Sequence, residues 1–250
     1  MIALPDQEPG NPLPSDTSTG KAFESACPRA APEPDSPPSL IETMRVQAGG
    51  LVPLLEGHIE RMQRSSMALG YRCPDEAALR TQVLQKVAQL DPGQTWRLRL
   101  LLAPDGDLHL ETNPLPAPLT PLKVAVQGPR VSGATLWLGH KTTHRPWYED
   151  AATWLTAHTD TFDILYWNEN GEMCEGSRSN LYMQTPDGRW LTPPLESGAL
   201  PGVQRQALLH AGLVQVENIR HDDFMHASAW RISNALRGWC DAKLAQSKDF

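Results

Sequence analysis

Cysteine is scarce: Cys27, Cys73, Cys174 and Cys240 stand far apart in a chain of 250 residues, with no C-x-x-C spacing. That argues against a disulfide framework and fits a reducing, cytoplasmic setting with free thiols. An excess of positive charge is missing too. A formal net charge of -7 argues against broad contact with nucleic acid or an anionic membrane, because both need clustered Lys and Arg. No apolar run approaches the length of a membrane span. The opening "MIALPDQEPGNPLPSD" has no basic start followed by an apolar core, so it does not read as a secretory signal. Internal repeats are absent, as are the P-loop, the dinucleotide fingerprint, H-E-x-x-H and G-x-S-x-G. Two histidine pairs, His140 with His144 and His221 with His226, have no third ligand nearby in sequence. No metal site is expected there.

What is present divides into a tail and two lobes. Residues 1–38 are rich in Pro, Ser, Asp and Glu, too polar to offset their ordering entropy, and read as a disordered tail or linker. Order is expected from "LIETMRVQAGGLVPLL" (40–55), as a hairpin around Ala48-Gly49-Gly50. Apolar spacing predicts helices over 56–71 and 74–91. "TWRLRLLLAPDGDLHLET" (95–112) predicts strand, Asp-Gly turn and strand. The proline-rich 113–122 is the candidate internal boundary, giving a small lobe at 39–115 and a large lobe at 116–250. In the large lobe, "KVAVQG" reads as a strand and Pro146 to about Thr156 as a helix. Strands are expected across 162–194, broken at Asn170-Gly171 and Asp187-Gly188. A turn and helix follow at 200–212, then strands in "LVQVENI" and "SAWRISNALRGW". The fold class is α+β.

Lysine is sparse, so its place in "HKTTHRPWYEDA" is informative. Lys141 sits between a run of small and apolar residues and a helix start. Glu175 in "EMCEGSRSNLYM" precedes a small, polar turn at a strand edge, where a carboxylate could hold a protonated ring nitrogen. Arg61 in "GHIERM" shares a helix face with His58 and could fork a phosphate. "ALPGVQRQALL" turns into a helix whose first N–H groups suit a phosphate. Alone, these have plain readings: a solvated loop acid, a surface arginine, a helix cap. Together they match the needs of pyridoxal phosphate chemistry: a Schiff-base lysine, an acid at the pyridine nitrogen and a phosphate cup.

The stretches "IETMRV", "GHIERMQRSSMALG", "HKTTHRPWY", "NENGEMCEGSRSNLYM", "LTPPLESGALPGVQRQALL" and "ISNALRGW" resemble, in order, the class IV aminotransferase-like (fold type IV) pyridoxal phosphate enzymes. That group holds branched-chain and D-amino acid aminotransferases and 4-amino-4-deoxychorismate lyases. The resemblance implies a two-lobed α+β fold, pyridoxal 5'-phosphate as cofactor and a homodimer with the site near the interface. It implies Lys141 as Schiff-base lysine and Glu175 as the acid facing the ring nitrogen. Arg61 and the backbone N–H groups of Val203 and Gln204 would hold the phosphate, with Ser233, Asn234 and Ala235 closing the cup. Thr43 in "IETMRV" leans toward the lyases, which tend to carry a threonine where branched-chain enzymes carry glycine. Arg45, Arg97 and Arg99 are candidates for a substrate carboxylate; an exposed strand arginine is the alternative. The lyase reading implies functional coupling to aminodeoxychorismate synthase. Its rivals are an aminotransferase on the same scaffold and a non-catalytic partner subunit. Three departures stand out. Pro146 occupies the position, five residues after the lysine, where aminotransferases often carry the tyrosine that meets the ring hydroxyl. Tyr148 is out of register, and His144 replaces an asparagine common in lyases. The usual first strand of the small lobe is also missing, as in a domain that follows a linker.

Overall fold

The computed structural model describes residues 34–118, 120–128 and 136–245. Residues 1–33 of the expected tail lie outside them. At residue 38 the chain is already tied down, since the Tyr71 hydroxyl donates to the Pro38 carbonyl at 2.5 Å.

The first strand, β1 (Leu40–Val46), alternates from Glu42 onward, after a start in which Ile41 is buried as well. Leu40, Met44 and Val46 are buried in an apolar core, and Glu42 shares their face; Thr43 and Arg45 point the other way, as a two-residue period requires. The expected hairpin over 40–55 does not form. Pro53 cannot donate to a ladder, Leu51 is exposed, and the chain turns directly into α1 (Leu55–Leu69). The partner of β1 is instead β2 (Trp96–Leu102), from Leu40 opposite Leu102 to Val46 opposite Trp96. Helix α2 (Glu76–Val87) is capped by Asp75, which accepts the Ala78 N–H at 2.8 Å. The expected Asp-Gly hairpin joins β2 to β3 (Leu108–Pro114), with Gly106 at φ 99° in the turn. Ile59, Met62, Leu79 and Val83 of the helices pack on Leu98, Leu100 and Leu102 of the sheet.

The second sheet holds eight strands: β4 (Leu122–Gln127), β5 (Asp163–Trp167), β6 (Met173–Gly176), β7 (Asn180–Gln184), β8 (Trp190–Thr192), β9 (Gln215–Val216), β10 (Trp230–Asn234) and β11 (Gly238–Leu244). Their order is β6-β5-β4-β11-β10-β7-β8-β9. Strands β4 and β5 run parallel, so their connection must cross over the sheet. That crossover carries Lys141 and α3 (Glu149–Ala157). Trp147, Tyr148, Ala151 and Leu155 from it pack on Ile164 and Tyr166 of β5. Helix α4 (Val203–His210) and the short α5 (His221–Met225) complete the lobe. Of the strand expected in "LVQVENI" only two residues pair, and α5 was not anticipated. This is an α+β, two-lobed fold.

The crossover also joins the lobes. The Ile41 N–H donates to the Lys141 carbonyl at 2.8 Å and the Thr143 N–H to Ser39 at 2.9 Å. Leu40 and Thr142 form an isolated antiparallel bridge. The peptide of Lys141 therefore extends the free edge of the small sheet.

Candidate active site

A cavity of about 680 Å³ lies between the lobes. Lys141, Thr43, Arg61, Glu175, Val203, Gln204, Ser233, Asn234, Arg97 and Arg99 all line it, as does Ala235. Arg45 does not; it sits on β1 opposite Arg97, beside the cavity wall.

Lys141 reaches the cavity from the bridged crossover. Burial, then the guanidiniums of Arg145 and Arg61, press its ammonium down to about 7, against the pull of Glu42 and Glu175. Near neutrality a large share of the amine is therefore unprotonated, as a nucleophile or base requires. Glu175 is the last residue but one of β6 and is buried. Its two carboxylate oxygens accept from the Tyr148 hydroxyl at 2.5 Å and from the Leu200 N–H at 2.9 Å. Tyr148, out of register in sequence, thus serves the acid.

The end of the cavity suited to an anion is built by α1 and α4. The N-terminus of α4 has no side-chain cap, so its first N–H groups are left for a ligand. Gly202, just before α4, lets Asn180 close against the turn: a Cβ there would fall 2.0 Å from Asn180 Oδ1. Arg61 is not a free fork. Its Nε and Nη2 donate to Glu42 at 2.8 and 2.6 Å, leaving Nη1 toward Pro201 O at 3.5 Å. His58 Nδ1 lies 2.6 Å from the same carboxylate. Burial works against the charged form of Glu42, yet Arg61 and His58 outweigh it and hold the carboxyl at about 2. Sequence reasoning missed Glu42. The available signal was a charged residue on the apolar face of an alternating strand.

Ser233 is buried with its hydroxyl 2.7 Å from that of Tyr182. Asn234 spends its side chain on the turn: Oδ1 accepts the N–H groups of Leu236 and Arg237, and Nδ2 donates to the Arg178 carbonyl at 3.1 Å. Asp163, buried behind the β6–β7 turn, accepts from Ser177 and Ser179 hydroxyls at 2.6 and 2.5 Å. Burial nonetheless raises its carboxyl above the ordinary value. Of the histidine pairs, His140 meets Ser65 at 3.0 Å while His144 packs between Trp137 and Trp147; His221 and His226 both contact Asp222, one its carboxylate and the other its carbonyl. Among the described residues no helix is long and apolar enough to cross a membrane.

A half-neutral lysine, a carboxylate with fixed donors and an uncapped helix start with an arginine beside it form the donor set that pyridoxal phosphate needs, and the cavity is large enough for it. The chain belongs to the amino-transferase class IV family, whose sequence profile matches residues 39–244. The cofactor of that family is pyridoxal 5'-phosphate. A Schizosaccharomyces pombe protein named "Putative aminodeoxychorismate lyase" is 26% identical over 199 residues, covering 76% of this chain and 84% of the relative. The Saccharomyces cerevisiae aminodeoxychorismate lyase is 25% identical over 169 residues, covering 50% of this chain and 45% of the relative. Among solved structures, a Mesorhizobium loti "Putative amino-acid aminotransferase" superposes with TM-score 0.75 at 31% identity, covering 84% of this chain and all of that one. A "hypothetical aminotransferase" from Mycobacterium tuberculosis in its PLP-bound form has the same fold, with TM-score 0.65 at 19% identity over 82% of this chain and 81% of that one.

Proposed function

We propose that this chain is an aminodeoxychorismate lyase, converting 4-amino-4-deoxychorismate to 4-aminobenzoate and pyruvate. The strand wall of the small lobe carries the reading. Thr43 stands opposite Arg99 and Arg45 opposite Arg97; Arg99 also faces Glu111 in register on β3, yet among the described residues none of the three arginines forms an ion pair. Cations placed side by side on neighbouring strands are unfavourable unless an anion joins them. The whole cavity is lined by six arginines and one lysine against a single carboxylate, Glu175. The α4 start and Arg61 suffice for one phosphate. The strand arginines are then left for further anions, and this substrate has two carboxylates. A branched-chain amino acid has one, and needs an apolar wall for its side chain.

Pyridoxal phosphate, when bound, supplies an electron sink for the carbon that bears the substrate amine. Lys141 removes the proton from that carbon, which its lowered basicity near pH 7 permits. Glu175, held by Tyr148 and Leu200, keeps the ring nitrogen protonated. Thr43 assists protonation of the departing enolpyruvate, and Arg97 and Arg99 hold the carboxylates. The same reading expects a cytoplasmic homodimer acting after aminodeoxychorismate synthase in folate biosynthesis.

The test supplies the cofactor-loaded protein with aminodeoxychorismate, made in situ from chorismate and glutamine, and follows 4-aminobenzoate. Lys141→Ala should abolish product, and Thr43→Gly should slow it. Absence of product from a wild-type protein that retains its cofactor absorbance would reject the lyase. The second reading, an aminotransferase, is favoured by the likeness to the Mesorhizobium loti structure. It predicts turnover of an amino acid with a keto-acid acceptor.

A further inference from the structure

Three arginines of the cavity, Arg145, Arg178 and Arg237, have no task in the scheme above, and Arg145 is the one beside Lys141 in the chain. Arg145 follows Lys141 by four positions and lines the same cavity. It is fixed on two sides. Its Nη2 donates to the Ser177 carbonyl at 2.7 Å, and its guanidinium lies 4.6 Å from the centre of the Tyr148 ring. Ser177 is anchored in turn through its hydroxyl to buried Asp163, so the guanidinium rests on rigid structure rather than on a loose loop. Its Nε and Nη1 meet no acceptor among the described residues.

A cofactor ring with its nitrogen at Glu175 and its reactive carbon at Lys141 has two flanks. One bears the phosphate arm, which the α4 start and Arg61 can take. The other bears the phenolic oxygen, next to the reactive carbon, and an ionised oxygen in a closed site needs a donor. The neighbouring hydroxyls are committed elsewhere: Tyr148 donates to Glu175 at 2.5 Å and Thr142 to the His144 carbonyl at 2.9 Å.

We propose that Arg145 is the partner of that phenolic oxygen, a fixed positive charge in a role that a neutral hydroxyl could otherwise fill. The proposal rests on the cavity being the pyridoxal phosphate site. A guanidinium beside the oxygen keeps it ionised and opposes positive charge on the nitrogen of Lys141. In keeping with this, Arg145 exerts the largest charge effect depressing the Lys141 ammonium.

The test measures equilibrium binding to the apoprotein of two ligands, pyridoxal 5'-phosphate and its analogue lacking the ring hydroxyl, 3-deoxypyridoxal 5'-phosphate. Wild type, Arg145→Gln and Arg145→Lys are compared. Arg145→Gln should weaken pyridoxal phosphate about tenfold or more, the worth of one charge-assisted hydrogen bond, and shift the analogue by less than about twofold. Arg145→Lys should recover part of the loss. In the loaded protein, the pH midpoint of the visible absorbance should rise by about one unit in Arg145→Gln. Equal weakening of both ligands would overturn the proposal and make Arg145 a wall support only. So would unchanged binding with an unchanged midpoint. If wild type bound neither ligand, the cofactor reading itself would fall, and the proposal with it.

Discussion

Glu42→Gln removes one charge from a buried cluster and changes the shape of the side chain very little. In the native protein the carboxylate accepts two arms of Arg61 at 2.8 and 2.6 Å and lies 2.6 Å from His58. Its carboxyl value falls from 4.5 to about 2. At about 1.4 kcal/mol per unit, that is about 3 kcal/mol of stability. A folded value below the unfolded one gives stabilisation that is complete above pH 4.5 and lost as the pH falls through about 2. The variant should therefore be less stable by about 3 kcal/mol near pH 7 and by only about 1 kcal/mol near pH 3. Urea denaturation of the apoprotein, followed by tryptophan fluorescence at both pH values, reads the two differences. A deficit below about 1 kcal/mol at neutral pH would refute the claim that the network is a net stabiliser. A deficit that does not change with pH would refute its electrostatic origin.

Two further outcomes follow from the same geometry. Gly202→Ala puts a methyl 2.0 Å from Asn180 Oδ1, whose amide holds Leu200 at 2.9 Å. It should displace the start of α4 and weaken pyridoxal phosphate by about tenfold or more while sparing pyridoxal without the phosphate; equal affinity in variant and wild type would contradict this. Lys141 titrates near 7 in the folded chain against 10.5 unfolded, so the unfolded state binds more protons across that window. Apoprotein stability should rise with pH from about 7 to 10.5 relative to Lys141→Met. Parallel pH curves for the two proteins would rule out a depressed lysine.

Much of this was legible in the chain because local rules and tertiary demands agreed. Asp75 and Gly70 bracket helices that the apolar spacing already marked, and Asp105-Gly106 supplies its own turn. Eleven of the twelve residues singled out for the site meet at one cavity; Arg45 lies beside it, opposite Arg97. What was missed depends on contacts distant in sequence. "LVPLL" has strand-like composition, but β1 is paired by β2, some fifty residues on. Glu42 gains its role only when α1 folds over β1. The task of Tyr148 is set by Glu175, 27 residues away. Arg145 follows the lysine in sequence, yet its fixing point, Ser177, comes from another strand connection.

The bridge between Leu40 and Thr142 bears on how the protein assembles. The peptide of Lys141 is held by chain about a hundred residues upstream. Closing so long a loop is slow and entropically costly. The large lobe carries both Lys141 and Glu175, yet by itself it has no edge strand to fix the lysine. Cofactor capture during refolding should therefore lag behind the folding of either core and report the docking of the two halves.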